Sequence, residues 1–274
     1  MGKTKLLFIT HEMSPFLELT KISEITRKLP QAMQEKGYEI RILMPRFGCI
    51  NERRNRLHEV IRLSGMNIVI NEDDNPLIIK VASIPAARMQ VYFLDNEDYF
   101  HRKYAFNDVK NKFYSDNDER AIFFCKGALE TVKKLGWAPD VVHCHGWMSA
   151  LIPAYLKTNY KDDPTFKEAK IVYSVYEHSF TEALGENFAE KATMKGMNAT
   201  DTQLYTEATN LALDIAAITH SDAVVIGDER VSETVLNFVI NQDKPTLTFD
   251  ATLDLENYNN FYQEITTNEL VSLV

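Results

Sequence analysis

The sequence predicts an α/β fold: a doubly wound, mostly parallel Rossmann-like sheet with a β-hairpin or meander insertion. Three observations predict it. The chain opens with a strand, a helix and a second strand in a β-α-β order. A middle stretch, residues 58–95, holds several strand-like runs with no helix between them. The β-α alternation then returns and continues to about residue 250.

The elements follow in order. "KLLFIT" (5–10) is a short apolar run suited to a buried strand. Ile22, Ile25, Leu29 and Met33 recur at helical spacing, and Gly37 marks the stop. "YEIRILMP" (38–45) is the second strand. In the insertion, "HEVIRLSG", "MNIVIN", "LIIKVASI" and "MQVYFLD" read as strands, and "NEDDNP" (71–76) as a turn-rich break at one edge of the sheet. Ala121, Ile122, Cys125, Leu129, Val132 and Leu135 form a helical stripe ending at Gly136. "DVVHCH" is a strand, "GWMSALIPAYLK" a helix, and "AKIVYSV" (169–175) a strand. Residues 204–218 read as a helix, "DAVVIG" (222–227) as a strand, 231–240 as a helix and "TLTF" (246–249) as a last strand. The small, polar stretch 185–202 reads as a loop.

The composition sets limits on function. With 274 residues, 45% hydrophobic and 25% charged, the chain can bury a sizeable core. A net charge of -9 argues against nonspecific binding to nucleic acid or to an anionic membrane. Cys49, Cys125 and Cys144 form no CxxC pair, so a reducing, cytoplasmic setting is expected. No apolar run approaches the length of about 18 residues that a membrane span needs, and no signal peptide is visible.

"HCHGWM" (143–148) raises the sharpest question. His143 and His145 share one face at the carboxyl end of a predicted parallel strand, where α/β sheets bind ligands. No third or fourth ligand is evident nearby, so no metal is expected. His143 reads as a packed histidine bonded to its surroundings. His145 lies where the strand opens, and its packing and functional readings stand level.

These residues carry a resemblance. "PDVVHCHGWMSALIPAYLK" (139–157) resembles the "PDVVHxHDWxxxLxPxYLK" signature of bacterial-type glycogen and starch synthases, retaining glycosyltransferases of the GT-B architecture. "HEMSPF" (11–16) is similar to "SExxPF", and "LPQAMQEKGYEIRILMPRFG" (29–48) to "LPxALxxxGHxVRVxMPxYG". "VYFLDN" (91–96) and "YSDNDERAIFFCKGALE" (114–130) match further family stretches in the same order, and 214–235 resembles one ending "ADxVxxVSPxYAxEI".

The resemblance implies a single GT-B N-terminal, acceptor-side domain over residues 1–250. Residues 251–274 form a tail. Within it, Tyr258, Phe261, Tyr262 and Ile265 stand at helical spacing, as in the family's terminal helix that returns from the second domain. An unrelated amphipathic tail is the other reading. On the first reading the donor-binding domain is absent from this chain.

The resemblance also implies site residues. His145 would be the catalytic-cleft residue contacting the transferred sugar. Tyr114, Asp116, Trp147 and Tyr176 would line the substrate side, although Trp147 also fits plain packing, and Asp116, Asn117 and Arg120 fit capping and bracing of a helix. The family's "KTGGL" donor loop falls here on "ELTKI": Glu18 replaces the lysine, and Thr20 and Lys21 replace the glycines. A carboxylate beside a pyrophosphate is electrostatically unfavourable. Gly146 stands for the aspartate of "HDW", Tyr176 and Glu177 stand for the His-Asn of "TVHN", "VSPxYA" becomes "GDERVS" (227–232), and His178 reads as a loop histidine.

The function expected is that of a glycogen- or starch-synthase-like protein, inactive alone, that binds α-glucan such as glycogen or a partner. The alternative is a glucosyltransferase completed by a donor-domain chain or by a homodimer. Binding of a nucleotide-sugar (ADP- or UDP-glucose) is expected to be weak or absent, and no cofactor is expected.

Overall fold

A computed structural model describes residues 2–84, 87, 89–178 and 180–267. The order is β1 (Lys5–Thr10), α1 (Ile22–Glu35), β2 (Glu39–Pro45), α2 (Glu52–Asn55), β3 (His58–Glu59), β4 (Met66–Ile70), β5 (Asp73–Ile84), β6 (Met89–Asp95), α3 (Glu97–Phe100), α4 (Asn117–Leu135), β7 (Val141–His145), α5 (Ile152–Lys157), β8 (Lys170–Val175), α6 (Phe188–Ala192), α7 (Ala199–Gln203), α8 (Asn210–His220), β9 (Ala223–Ile226), α9 (Glu233–Ile240), β10 (Thr246–Leu247) and α10 (Leu255–Thr267).

One sheet runs β10-β9-β8-β7-β1-β2-β6-β5-β3, with β4 paired to β5. From β10 to β6 every pairing is parallel. The inserted strands β3, β4 and β5 pair antiparallel, and β5 joins them to β6. Chain order reverses between β1 and β7, so their carboxyl ends form the crevice where such sheets hold ligands. Both strands are buried on two faces: Leu6–Ile9 and Val141–Cys144 are wholly inaccessible.

The doubly wound sheet and its edge insertion agree with the sequence; several local elements differ. The break at "NEDDNP" is confined to Asn71 and Glu72, both at positive φ (50° and 72°), and Asp73–Pro76 already belong to β5. Pro76 is tolerated there because that end of β5 pairs only with β4. "GWMSALIPAYLK" is a 3-10 turn (Trp147–Ser149) followed by the short α5, with Pro153 in its first turn. The helix predicted over 204–218 starts only at Asn210, capped by Thr209. The loop predicted over 185–202 carries α6 and α7; a capping box between Asn198 and Asp201 starts α7. The last strand shortens to Thr246–Leu247.

Residues 255–267 form α10, which buries Tyr258, Phe261, Tyr262 and Ile265. Lys36–Glu256 and Tyr38–Asn259 tie α10 to the end of α1. Among the described residues no helix is long and apolar enough to cross a membrane.

Candidate functional site

The crevice between β1 and β7 is built first by the loop after β1. The buried Glu12 carboxylate accepts the backbone N–H of Leu19 (2.6 Å) and of Thr20 (2.8 Å) and the Thr20 hydroxyl (2.5 Å). Thr20 Oγ1 in turn accepts the N–H of Ile22, the first residue of α1 (3.1 Å). Three backbone donors at the mouth of α1, two in the loop before the N-cap Lys21 and one on the first helical residue, are thus bonded to the chain's own oxygens. Burial alone would raise the Glu12 carboxyl, but His11 (Nε2 3.6 Å away) and Thr20 hold it below the usual range. Glu18 is exposed and bonded to Ser14 (2.6 Å). Lys21 leans to Glu229 (3.4 Å) and Asp228 (3.9 Å) across the crevice.

On the β7 side, Gly146 has φ 75° and ψ 168°, a conformation reserved for glycine. A Cβ there would stand 2.4 Å from His11 Cε1, so the His11 ring fills the space an aspartate would need. A second glycine repeats the device: a Cβ at Gly227 would lie 2.4 Å from Tyr176 Cε1. His11 and Tyr176 are thus seated on bare backbone.

His145 is completely buried. Its Nδ1 meets the Tyr176 hydroxyl at 2.7 Å, its ring lies 4.0 Å from that of His143, and its Nε2 is buried without a partner. Burial first, and the neighbouring His11 second, push it down to about 3. His143 bonds Tyr262 Oη of α10 (2.6 Å) and Ser174 Oγ (2.7 Å), and burial holds it well below the ordinary histidine value. Two neutral histidines therefore line the end of β7. Among the described residues no three His, Cys, Asp or Glu side chains converge as metal ligands.

The structure brings some predicted residues together and separates others. His145 and Tyr176 touch. Trp147 lies against His11 (ring centroids 6.3 Å apart), enclosed by Phe106 (5.2 Å) and Phe180 (4.9 Å), with Nε1 buried and unpartnered among the described residues. Thr20 joins the same crevice through Glu12, Lys21 reaches Asp228 and Glu229, and Glu18 turns to Ser14. Tyr114 and Asp116 belong to another cluster: both Asp116 oxygens accept from the Arg102 guanidinium (2.7 and 2.5 Å), whose plane covers the Tyr114 ring at 4.6 Å. Asp116 precedes α4 but does not cap it, because Arg102 takes its carboxylate. Asn117 and Arg120 do brace: buried Arg120 bonds Asn117 and the Tyr99 carbonyl and lies over Phe47 and Phe100. Burial, and Arg102 beside it, lower Arg120 to about 10. His178 is more than a loop residue. Its Nε2 meets buried Asp214 (3.1 Å), which also accepts from Tyr173 (2.8 Å).

Sequence reasoning missed the roles of His11 and Glu12 and the link from Tyr262 to His143. The first left a trace. His11 departs from the serine of "SExxPF" as Gly146 departs from the aspartate of "HDW", and the two changes fit each other in space.

Comparisons with known proteins follow this geometry. Residues 5–243 match the model of the starch synthase catalytic domain. A glycogen synthase of Chlorobium luteolum is 43% identical over 173 residues, 63% of this chain and 35% of that protein. One of Chlorobaculum tepidum is 34% identical over 247 residues, 89% of this chain and 49% of that protein. The chain therefore spans between a third and a half of the length of these relatives. In fold it is similar to the catalytic domain of starch synthase IV from Arabidopsis thaliana bound to ADP and acarbose, with a TM-score of 0.71 and 17% identity over 90% of this chain and 51% of that one. With the family model matched over most of its length, the chain belongs to the glycogen and starch synthase family through the starch synthase catalytic domain.

Proposed function

We propose that this domain is the acceptor-side half of an α-glucan synthase and that, on its own, it does not transfer glucose. The observation that carries the reading is the loop after β1. Glu12 itself matches the family's "SE"; the change is Thr20 in a glycine's place. Its hydroxyl adds a third bond to Glu12 and also takes the first amide of α1. Retaining transfer depends on stabilising the departing nucleoside diphosphate. Glu18 puts negative charge where that leaving group would need positive charge, and Lys21 is engaged by Asp228 and Glu229. The His11 ring packs on Gly146 beside His145, and the Tyr176 ring packs on Gly227 with its hydroxyl on His145 Nδ1.

If any sugar contact remains, His145 makes it through Nε2, with Tyr176 orienting the ring; Tyr114, Asp116 and Trp147 then serve the acceptor side.

The test is glucan elongation by the purified chain, with ADP-glucose and UDP-glucose in turn and glycogen as acceptor. No transfer is expected, together with co-sedimentation on glycogen. Transfer that disappears in His145→Ala would overturn the inactive reading.

A further inference from the structure

Away from the crevice, an open groove of about 600 Å³ lies between the loop after β1, the segment around α2 and the end of β5. Arg54, Arg56 and His58 line it together with Phe16 and Ile84, and no carboxylate does so among the described residues. Arg53, Arg54 and Arg56 are all exposed, and among the described residues none of their guanidinium groups has a hydrogen-bond or ion-pair partner. The neighbouring cations behave differently: Arg46 and Lys80 are both engaged by Glu52 and Asp95. Arg56 also stands at φ 53°, the left-handed C-cap of α2, where glycine is the usual residue.

We propose that this groove binds a small phosphate ester, with Arg54 and Arg56 gripping the phosphate and the Phe16 ring packing against its organic part. Guanidinium forks match phosphate oxygens two at a time, which a lysine cannot do. The Phe16 ring is held edge-on against Phe93 (centroids 5.0 Å apart), so the apolar wall is fixed before a ligand arrives. A neutral glucan offers the arginines hydroxyl acceptors but no charge to pair with, and a cation is repelled. The shared chemistry is the phosphomonoester; a nucleoside or a sugar can supply the ring. The proposal is independent of the reading of the donor loop.

The test is calorimetric titration of the full chain with inorganic phosphate, AMP and glucose 1-phosphate at low and at physiological salt. At least one ester should bind saturably and more tightly than inorganic phosphate. Arg56→Gln and Arg54→Gln should each weaken it about tenfold or more, the size of one lost charge-assisted contact. Both side chains are exposed, so the melting temperature of each variant should match the parent. Phe16→Ala should weaken the favoured ester but not inorganic phosphate, and which ester responds identifies the source. Lys21→Met should leave binding unchanged. The proposal is overturned if no ester saturates, if both arginine variants bind like the parent, or if Lys21→Met abolishes binding and so moves the ligand to the loop.

Discussion

At Gly146 and Gly227 a missing Cβ lets another residue's ring touch the backbone, and both contacts lead to His145. Gly146→Ala should destabilise the chain by about 2–3 kcal/mol, from a clash with His11 and from an L-residue at φ 75°. Adding His11→Ser should recover part of that loss and not all, because the ring clash is relieved and the backbone strain remains. Urea unfolding of the two single variants and the double variant measures the coupling. The buried histidines make a second prediction. His143 and His145 stay neutral when folded but protonate when unfolded near pH 6.5. The unfolded state then binds more protons, so stability falls as pH drops below about 6.5, by about 1.4 kcal/mol per pH unit for each ring. His178, raised first by its bond to Asp214, works the other way: its contribution is complete below that pH and fades as pH rises through its folded value. Unfolding series between pH 7 and 5 should show a net loss toward acid, with a shallower slope in His145→Gln. An unchanged slope would contradict the neutral assignment.

Among the elements, α10 closes the sheet and reaches its polar interior. Tyr262 is its buried polar contact: the hydroxyl meets His143, whose ring lies against His145. Tyr262→Phe should cost about 1–3 kcal/mol, the price of an unmet buried nitrogen, and should leave far-ultraviolet circular dichroism unchanged. A neutral result would mean that α10 is held by its apolar face alone. This scale also shows what the sequence made legible. Long elements with one apolar stripe, α1, α4 and α10, were readable, because four or more side chains repeat the same period. The short α2, α3, α6 and α7 were not. Their four or five residues complete about one turn, and local caps from Asn51, Asn96 and Asn198 start three of them rather than a periodic face. The break near residue 208 before α8 was missed because Ala208 sits at φ 51°, a conformation alanine does not announce.

For the whole molecule, the doubly wound, mostly parallel sheet was legible and the state of the crevice was not. Alternating β and α runs imply a parallel sheet, and the reversal at β1 and β7 places the crevice where "HEMSPF" and "HCHGWM" meet. The replacements of the loop lysine and glycines were visible in sequence. That Glu12 would gather the loop amides, and that His11 and Tyr176 would pack on Gly146 and Gly227, depends on residues far apart in the chain and on glycines whose role is to be empty. The proposed inactivity rests on a loop whose Leu19 and Thr20 amides are closed onto Glu12. The most direct measurement follows the Leu19 and Thr20 amide resonances by ¹⁵N NMR while ADP-glucose is titrated into the parent and into Glu18→Lys/Thr20→Gly/Lys21→Gly. Both amides are expected to stay unmoved and protected from exchange in the parent up to millimolar donor, and to shift with saturation in the triple variant. Saturating shifts of the same two amides in the parent would show an open donor site and contradict the proposed inactivity.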